Sequence, residues 1–247
     1  MEDMQTALAY LNQNRLLYLD MLEVLRRGSA EVLQAGADGV LLYDWEGEEH
    51  MLSARSRAAL EGMLPALAGS ETVVGHEMWY RDELAERLGL WEEMPCYQAA
   101  WLSPEPPELP PFAGELRPLG MEWAPFVLEH YSNSAIGGLP HVEEALRRGM
   151  LGAFVDGAPA GFVGFHPEGT IGLLEVLPPY RRRGLGEVLL LGAVRLALAR
   201  GQYAFGQVLV DNAPSLALQR KAGMTISAET LYWLFRPEGT EEGCTWS

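Results

Sequence analysis

The chain has 247 residues, enough for one large or two ordinary domains, and 48% of them are hydrophobic, enough to build cores. A formal charge of −16 weighs against nucleic acid as a partner and suits a cationic substrate, because acidic clefts concentrate amines. The acidity is uneven: 21 acidic residues stand against 7 basic ones through Glu115 and 13 against 11 after it, so an anionic ligand meets the nearly neutral half.

Within residues 2–27, Leu8, Leu11, Tyr18, Met21, Leu22 and Leu25 recur at helical spacing and predict one long amphipathic helix or two short ones. A further helical stretch is expected over residues 29–35, ending at Gly36. Residues 39–44 read as a strand, Glu46-Gly47 as a turn and residues 50–53 as an antiparallel partner. A helix over 55–67, a strand over 71–75, a helix over 81–88 and a strand over 96–102 complete an α+β half. Cys96 and Cys244 are too few and too distant for a disulfide framework or metal site. Five prolines within residues 103–113 predict an extended, semi-rigid linker. The expected organisation is therefore a domain over 1–102, a linker over 103–113 and a domain over 114–247.

The second half opens with a strand over 115–118, a helix over 123–131, a loop containing Gly137, Gly138 and Pro140, and a helix over 142–148. Residues 151–155 and 159–165 make a hairpin around Asp156-Gly157, a favoured two-residue turn. Residues 170–177 are apolar enough to form a buried strand, which Pro178 and Pro179 stop. Three arginines, Gly184 and Gly186 follow, and then a helix to Arg200 with Leu185, Val188, Leu189, Gly192, Leu196 and Ala199 on one face. A helix start offers N–H groups without partners and partial positive charge, glycine admits close backbone approach, and arginine adds formal charge. Residues 181–187 accordingly read as a pyrophosphate cradle. The Gly-x-x-x-x-Gly-Lys-Ser/Thr pattern is absent, and the single lysine is Lys221, which excludes a P-loop hydrolase. A dinucleotide fingerprint wants a small residue where Leu189 stands and an acid about 20 residues on; neither is clean here. A strand over 203–210, a helix capped by Asn212 and ended by Gly223, and one or two strands over 224–235 close the chain.

Arg181-x-x-Gly184-x-Gly186 directly after a Val-x-Pro-x-Tyr turn resembles the acyl-CoA-binding motif of the GNAT superfamily of N-acyltransferases. Asn212 opening a helix that ends in Gly223-Met224 is similar to the family's second signature. The succession β-α-α-β-β-β-α-β-α-β-β over roughly residues 115–236 matches the family's order of elements. The resemblance implies an α/β fold with a mixed, mostly antiparallel sheet flanked by helices. By element order the first half resembles a degenerate copy, as in tandem two-domain proteins related to the glycine N-acyltransferases.

The resemblance also implies site residues. Leu174, Glu175 and Val176 offer free backbone groups to the pantetheine arm. N–H groups from Arg182, Arg183, Gly184, Leu185, Gly186 and Glu187, with Arg181 beside them, hold the pyrophosphate. Asn212 and Ser215 meet the pantetheine, and Arg220 and Lys221 stand toward the 3′-phosphate or in solvent. The implied reaction moves an acetyl or other acyl group from acyl-CoA to a primary amine of a small molecule or peptide, by direct attack and with no metal. An alkylamine has a pKa near ~10, so its proton must be taken. Glu175 on the strand and Glu168 in the adjoining turn are the two candidates; several family members carry their glutamate where Thr170 stands. Many members use a tyrosine to protonate the leaving thiolate where this chain has Gln219, which can donate a hydrogen bond but not a proton. Tyr180 and Tyr232 either replace that tyrosine or pack.

Two rivals stay open: an acyl-CoA-binding sensor or interaction module without turnover, which Gln219 and Thr170 favour, and a dinucleotide-dependent oxidoreductase. His130, His141 and His166 fit no metal spacing and read as ordinary polar residues. Without a signal peptide or a membrane-length apolar run, the sequence predicts a cytoplasmic protein with no membrane partner. The first half is expected to wall the acceptor cleft or to make a homodimer contact, and loops such as 132–141 to set acceptor choice.

Overall fold

The helical pattern at the start of the chain folds as two helices, α1 (Glu2–Leu11) and α2 (Leu19–Arg27), in a computed structural model that describes residues 2–132 and 138–236. Gly28 ends α2 in the left-handed region, its N–H donating to the Val24 and Leu25 carbonyls. Three antiparallel strands follow: β1 (Ala30–Gly36), β2 (Gly39–Asp44) and β3 (Glu49–Ala54). The helix expected over 29–35 is thus a strand. Its Ala, Glu, Leu and Gln favour helix locally, but pairing from Ala30↔Asp44 to Gly36↔Gly39 overrides that weak preference. The helix α3 (Arg57–Met63), β4 (Thr72–Gly75), α4 (Arg81–Leu88) and β5 (Glu92–Ala100) come next. Leu41, Leu52, Leu60, Met63, Val73, Tyr80 and Leu84 fill the core between sheet and helices.

After Ala100 the chain runs through β6 (Glu115–Leu119), α5 (Ala124–His130), α6 (Gly138–Arg148), β7 (Met150–Val155), β8 (Ala158–Phe165), β9 (Ile171–Val176), α7 (Leu185–Ala199), β10 (Phe205–Leu209), α8 (Ala213–Lys221) and β11 (Thr225–Phe235). The order expected from sequence is reproduced with a single closing strand. Asp156 and Gly157 both take positive φ, as the predicted tight turn requires. Strands β6-β7-β8-β9 form a four-stranded antiparallel sheet. The helices α5 and α6 cover one core, with Val127, Val142, Leu146, Phe154, Phe162 and Leu173, while α7 packs against β7, β8 and β9.

Element order therefore repeats: two helices, three antiparallel strands, a helix, a strand, a helix and a strand occur first in α1–β5 and again in α5–β11. The fold is α/β with mostly antiparallel sheets flanked by helices.

Two compact units result, and they do not follow chain order: one is residues 1–98, 209–211 and 227–247, the other 99–208 and 212–226. The sequence grouping put β11 with 114–247, whereas most of it belongs to the first unit, where Tyr232↔Gly75 through Phe235↔Thr72 pair it with β4. Residues 103–113 hold no helix or strand and lie within the second unit. Proline has no N–H for a ladder, and the Pro107 carbonyl is met instead by the Arg195 guanidinium at 2.9 Å. Among the described residues no helix is long and apolar enough to cross a membrane. Gly137, Cys244 and the middle of the 132–141 loop lie outside the described residues.

The first unit buries an ion pair. His76 Nε2 lies 3.0 and 3.1 Å from the two Asp20 carboxylate oxygens, and Nδ1 lies 2.9 Å from the Leu52 carbonyl. Both ring nitrogens face acceptors, so both carry protons. Burial alone pushes the imidazole's pKa down, but the Asp20 carboxylate outweighs it and raises the value. A raised pKa gives stability that is complete below the ordinary histidine value and is lost as pH climbs through the folded one. Chemical unfolding is expected to show stability falling on that alkaline side, and His76→Leu, which takes the imidazolium away from the Asp20 carboxylate, to cost about 3–5 kcal/mol near neutral pH.

Candidate functional site

The turn between β9 and α7 is built by backbone conformation. Arg182 and Gly184 both take left-handed φ, at 64° and 83°, which aims successive N–H groups to one side. No side chain caps α7. The first N–H groups to find carbonyls within the helix are those of Glu187 and Val188, both bonded to Gly184 O, so those of Leu185 and Gly186 precede the first helical bond. The N–H of Glu187, expected at the anion, is therefore committed to the helix, and its carboxylate is held by Lys221 at 2.6 Å. Residues 181–184 are exposed.

Strand β9 is the last of its sheet. Leu177 N–H donates to Ala160 O, so alternation turns the backbone of Glu175 toward β8 and that of Val176 toward the open edge. The expectation that all three of Leu174, Glu175 and Val176 present free backbone groups is corrected for Glu175. The Val176 carbonyl accepts from Arg181 Nε at 2.8 Å. Between Gly172 and Glu175 the register slips against β8, and Leu173 sits at φ 46° with its side chain buried in the core. This bulge, at a residue that disfavours left-handed φ, left no mark in the sequence. The β9 and β10 backbones come close at one end, where a Cβ on Gly206 would stand 2.8 Å from Ile171 O, yet the strands lie in different sheets.

The remaining predicted residues fall into place around that edge. Glu175 is half-buried, and its Oε1 accepts from both the N–H and the hydroxyl of Ser132. Glu168 is buried and accepts from the Thr170 hydroxyl. The side chain of Asn212 caps α8 by accepting from Ser215 N–H at 3.0 Å, which leaves its NH₂ for other partners. Gln219 is buried on α8, and its Oε1 has no partner among the described residues. Tyr232 lies in the first unit's core, so it packs; burial raises its pKa. Tyr180 lies under Arg183 at 5.7 Å. His130 is tied to the Phe126 carbonyl one helical turn back.

Sequence spacing missed that His141 and His166 meet, with ring centroids 5.5 Å apart. His166 lies against β9, where a Cβ on Gly172 would come within 2.2 Å of its Nε2. Burial and the Arg148 cation push the His166 pKa down to about 4. Burial lowers His141 as well, with His166 and Arg148 adding to it and Glu168 and Glu144 opposing.

The same place in the first copy is built differently. There β3 and β4 pair in parallel as far as Leu52↔Gly75, and beyond that point the Glu77 carboxylate enters. Its Oε1 accepts from Tyr18 and Ser53, and its Oε2 from Ala54 N–H and Tyr80. The next helix, α3, is capped by Ser56, which accepts from Ala59 N–H. One N–H at the strand end and one at the helix start are thus met by side chains of the same unit.

The model of the acetyltransferase (GNAT) family matches residues 90–224. No curated protein matches the sequence. Among solved structures, a Drosophila protein is 17% identical with a TM-score of 0.71, covering 95% of this chain and 94% of its own. A GCN5-related N-acetyltransferase-like protein from Streptococcus suis is 15% identical with a TM-score of 0.56, covering 95% and 99%. A GCN5-related N-acetyltransferase from Kribbella flavida is 16% identical with a TM-score of 0.54, covering 91% and 95%. At these identities the likeness speaks for the fold.

Geometry separates the two glycines of the turn. A Cβ at Gly186 meets Leu218 at 3.5 Å and Val176 at 3.9 Å, both ordinary contacts, whereas Gly184 needs positive φ. Thermal unfolding is expected to show Gly184→Val costing about 1–2 kcal/mol and Gly186→Ala within about 0.5 kcal/mol of the parent.

Proposed function

The chain belongs to the GNAT family of acetyltransferases, and from that premise we propose that its second unit transfers an acyl group, acetyl in the first instance, from acyl-CoA to the primary amine of a small molecule or peptide. One observation carries the reading: a strand with an open edge runs directly into a helix whose first N–H groups lack partners among the described residues, through a turn with two left-handed residues. Those N–H groups suit a diphosphate, and the Arg182 and Arg183 side chains add charge. Val176 and the NH₂ of Asn212 suit an amide-bearing arm lying along the strand.

An arm held by its diphosphate at α7 runs back along β9, which brings its thioester toward residues 172–174. At pH 7 less than roughly one alkylamine in a thousand is neutral, so proton removal is part of the reaction. We assign that task to the polar cluster at the start of β9, whose carboxylate is Glu168. Glu175, held by Ser132, is assigned to shaping the wall of the site. Gln219 hydrogen-bonds the departing sulfur, and a thiol pKa near ~8.5 lets it leave as an anion. The second reading is a module that binds acyl-CoA without turnover; Gln219 in place of an acid favours it.

Thiol release from acetyl-CoA across a panel of amines, amino acids and peptides separates the two. Amine-dependent release is expected; binding with no release under any acceptor selects the module. Glu168→Gln, which removes the carboxylate that supports the proton once it is taken, is expected to lower kcat about 10²-fold, while Glu175→Gln, which keeps an acceptor oxygen for Ser132, stays within a few-fold of the parent. Gly186→Val should keep the fold and lose more than tenfold in acetyl-CoA affinity by calorimetry, because its side chain fills the cradle.

A further inference from the structure

A buried imidazole nitrogen with nothing to bond is a costly arrangement, about 1–3 kcal/mol for an unmet polar group, and it calls for a use. His141 Nε2 is such an atom among the described residues. It stands on the first turns of α6, beside the His166 ring, which itself lies on the β9 backbone at Gly172. Gly172 immediately precedes the bulged Leu173 and lies two residues before Leu174, where the open edge begins. On the proposed path of the acyl arm, this is the thioester's end of the strand.

We propose that His141 is a catalytic residue, the group that takes the proton from the acceptor ammonium, with His166 and Glu168 as positioning residues. The assignment rests on the acyl-transfer reading above. The ammonium gives one proton to Nε2 and becomes a neutral amine. Its nitrogen lone pair then forms the bond to the thioester carbonyl carbon, the carbon–sulfur bond breaks, and that electron pair leaves on sulfur. The nitrogen's second proton ends on the thiolate, and the imidazolium returns its proton to solvent. The net change is ammonium plus thioester to amide, thiol and one proton.

The surroundings suit the task. A ring that must be neutral at rest is kept so by burial and by the Arg148 cation. Once charged, it is supported by the carboxylates of Glu168 and Glu144. Thr170 donates to Glu168 and fixes it, which gives a role to the residue standing where several family members carry their glutamate. Arg148 is fixed in turn by the Phe165 carbonyl at 3.1 Å. His166, pushed down to about 4, stays neutral at neutral pH and serves as packing for the His141 ring rather than as a second base.

The test is steady-state thiol release from acetyl-CoA by the full chain, with calorimetric acetyl-CoA affinity measured alongside. His141→Gln is expected to keep that affinity, to lose about 10²-fold in kcat, and to lose the acid limb of the kcat–pH profile. Free imidazole is expected to restore rate to His141→Ala, which a purely structural histidine would not allow. Full turnover with an unchanged acid limb in His141→Gln overturns the assignment and leaves acyl transfer standing, as does a loss in His141→Ala that imidazole fails to restore. No amine-dependent release from the unsubstituted chain overturns both.

Discussion

A strand at the end of a sheet leaves half of its backbone groups without a ladder, and in the second unit that strand leads straight into a helix whose first N–H groups are also open. Backbone polar groups are not left idle at no cost, and their placement in one continuous line suits the acyl-CoA proposed above. The diphosphate end of such a ligand needs converging N–H groups, and its arm needs alternating donors and acceptors at strand spacing. Leu173 bulges β9, and although β9 and β10 come close at Gly206 they lie in different sheets. The opening is therefore a product of the backbone, and side chains only refine it.

The first copy shows what happens when the same positions close. Glu77 there gathers four donors from Tyr18, Ser53, Ala54 and Tyr80, and Ser56 caps the following helix. Buried charge beside it, Asp20 with His76, is paired as well. A carboxylate that saturated does structural work: it satisfies the strand end that in the second copy stays open. One element order thus yields one site with open groups and one core with satisfied groups, depending on a few residues at the strand-to-helix junction.

Much of this was legible in the sequence, because local chemistry controls it. Asp156-Gly157 fixed a hairpin, Pro178-Pro179 ended a strand, and Asn212 and Gly223 bounded a helix. What stayed hidden depends on distant partners. Residues 30–36 look helical alone and become a strand by pairing with β2. β11 reads as the end of the second domain and pairs with β4. Leucine carries no signal for positive φ, so the bulge at Leu173 was invisible, and the 24 residues between His141 and His166 concealed their contact. The two glycines of the turn look equivalent in a motif, yet one is needed for φ and the other leaves space.

The central claim is that the open backbone of the second copy, and not the closed backbone of the first, holds the acyl donor. Amide-resolved NMR during titration with acetyl-CoA tests it most directly. The account predicts saturation at one equivalent, with the largest shifts at the N–H groups of Val176 and of Arg182 through Gly186. Saturation at two equivalents, or leading shifts at Ser53 through Arg57, would contradict it.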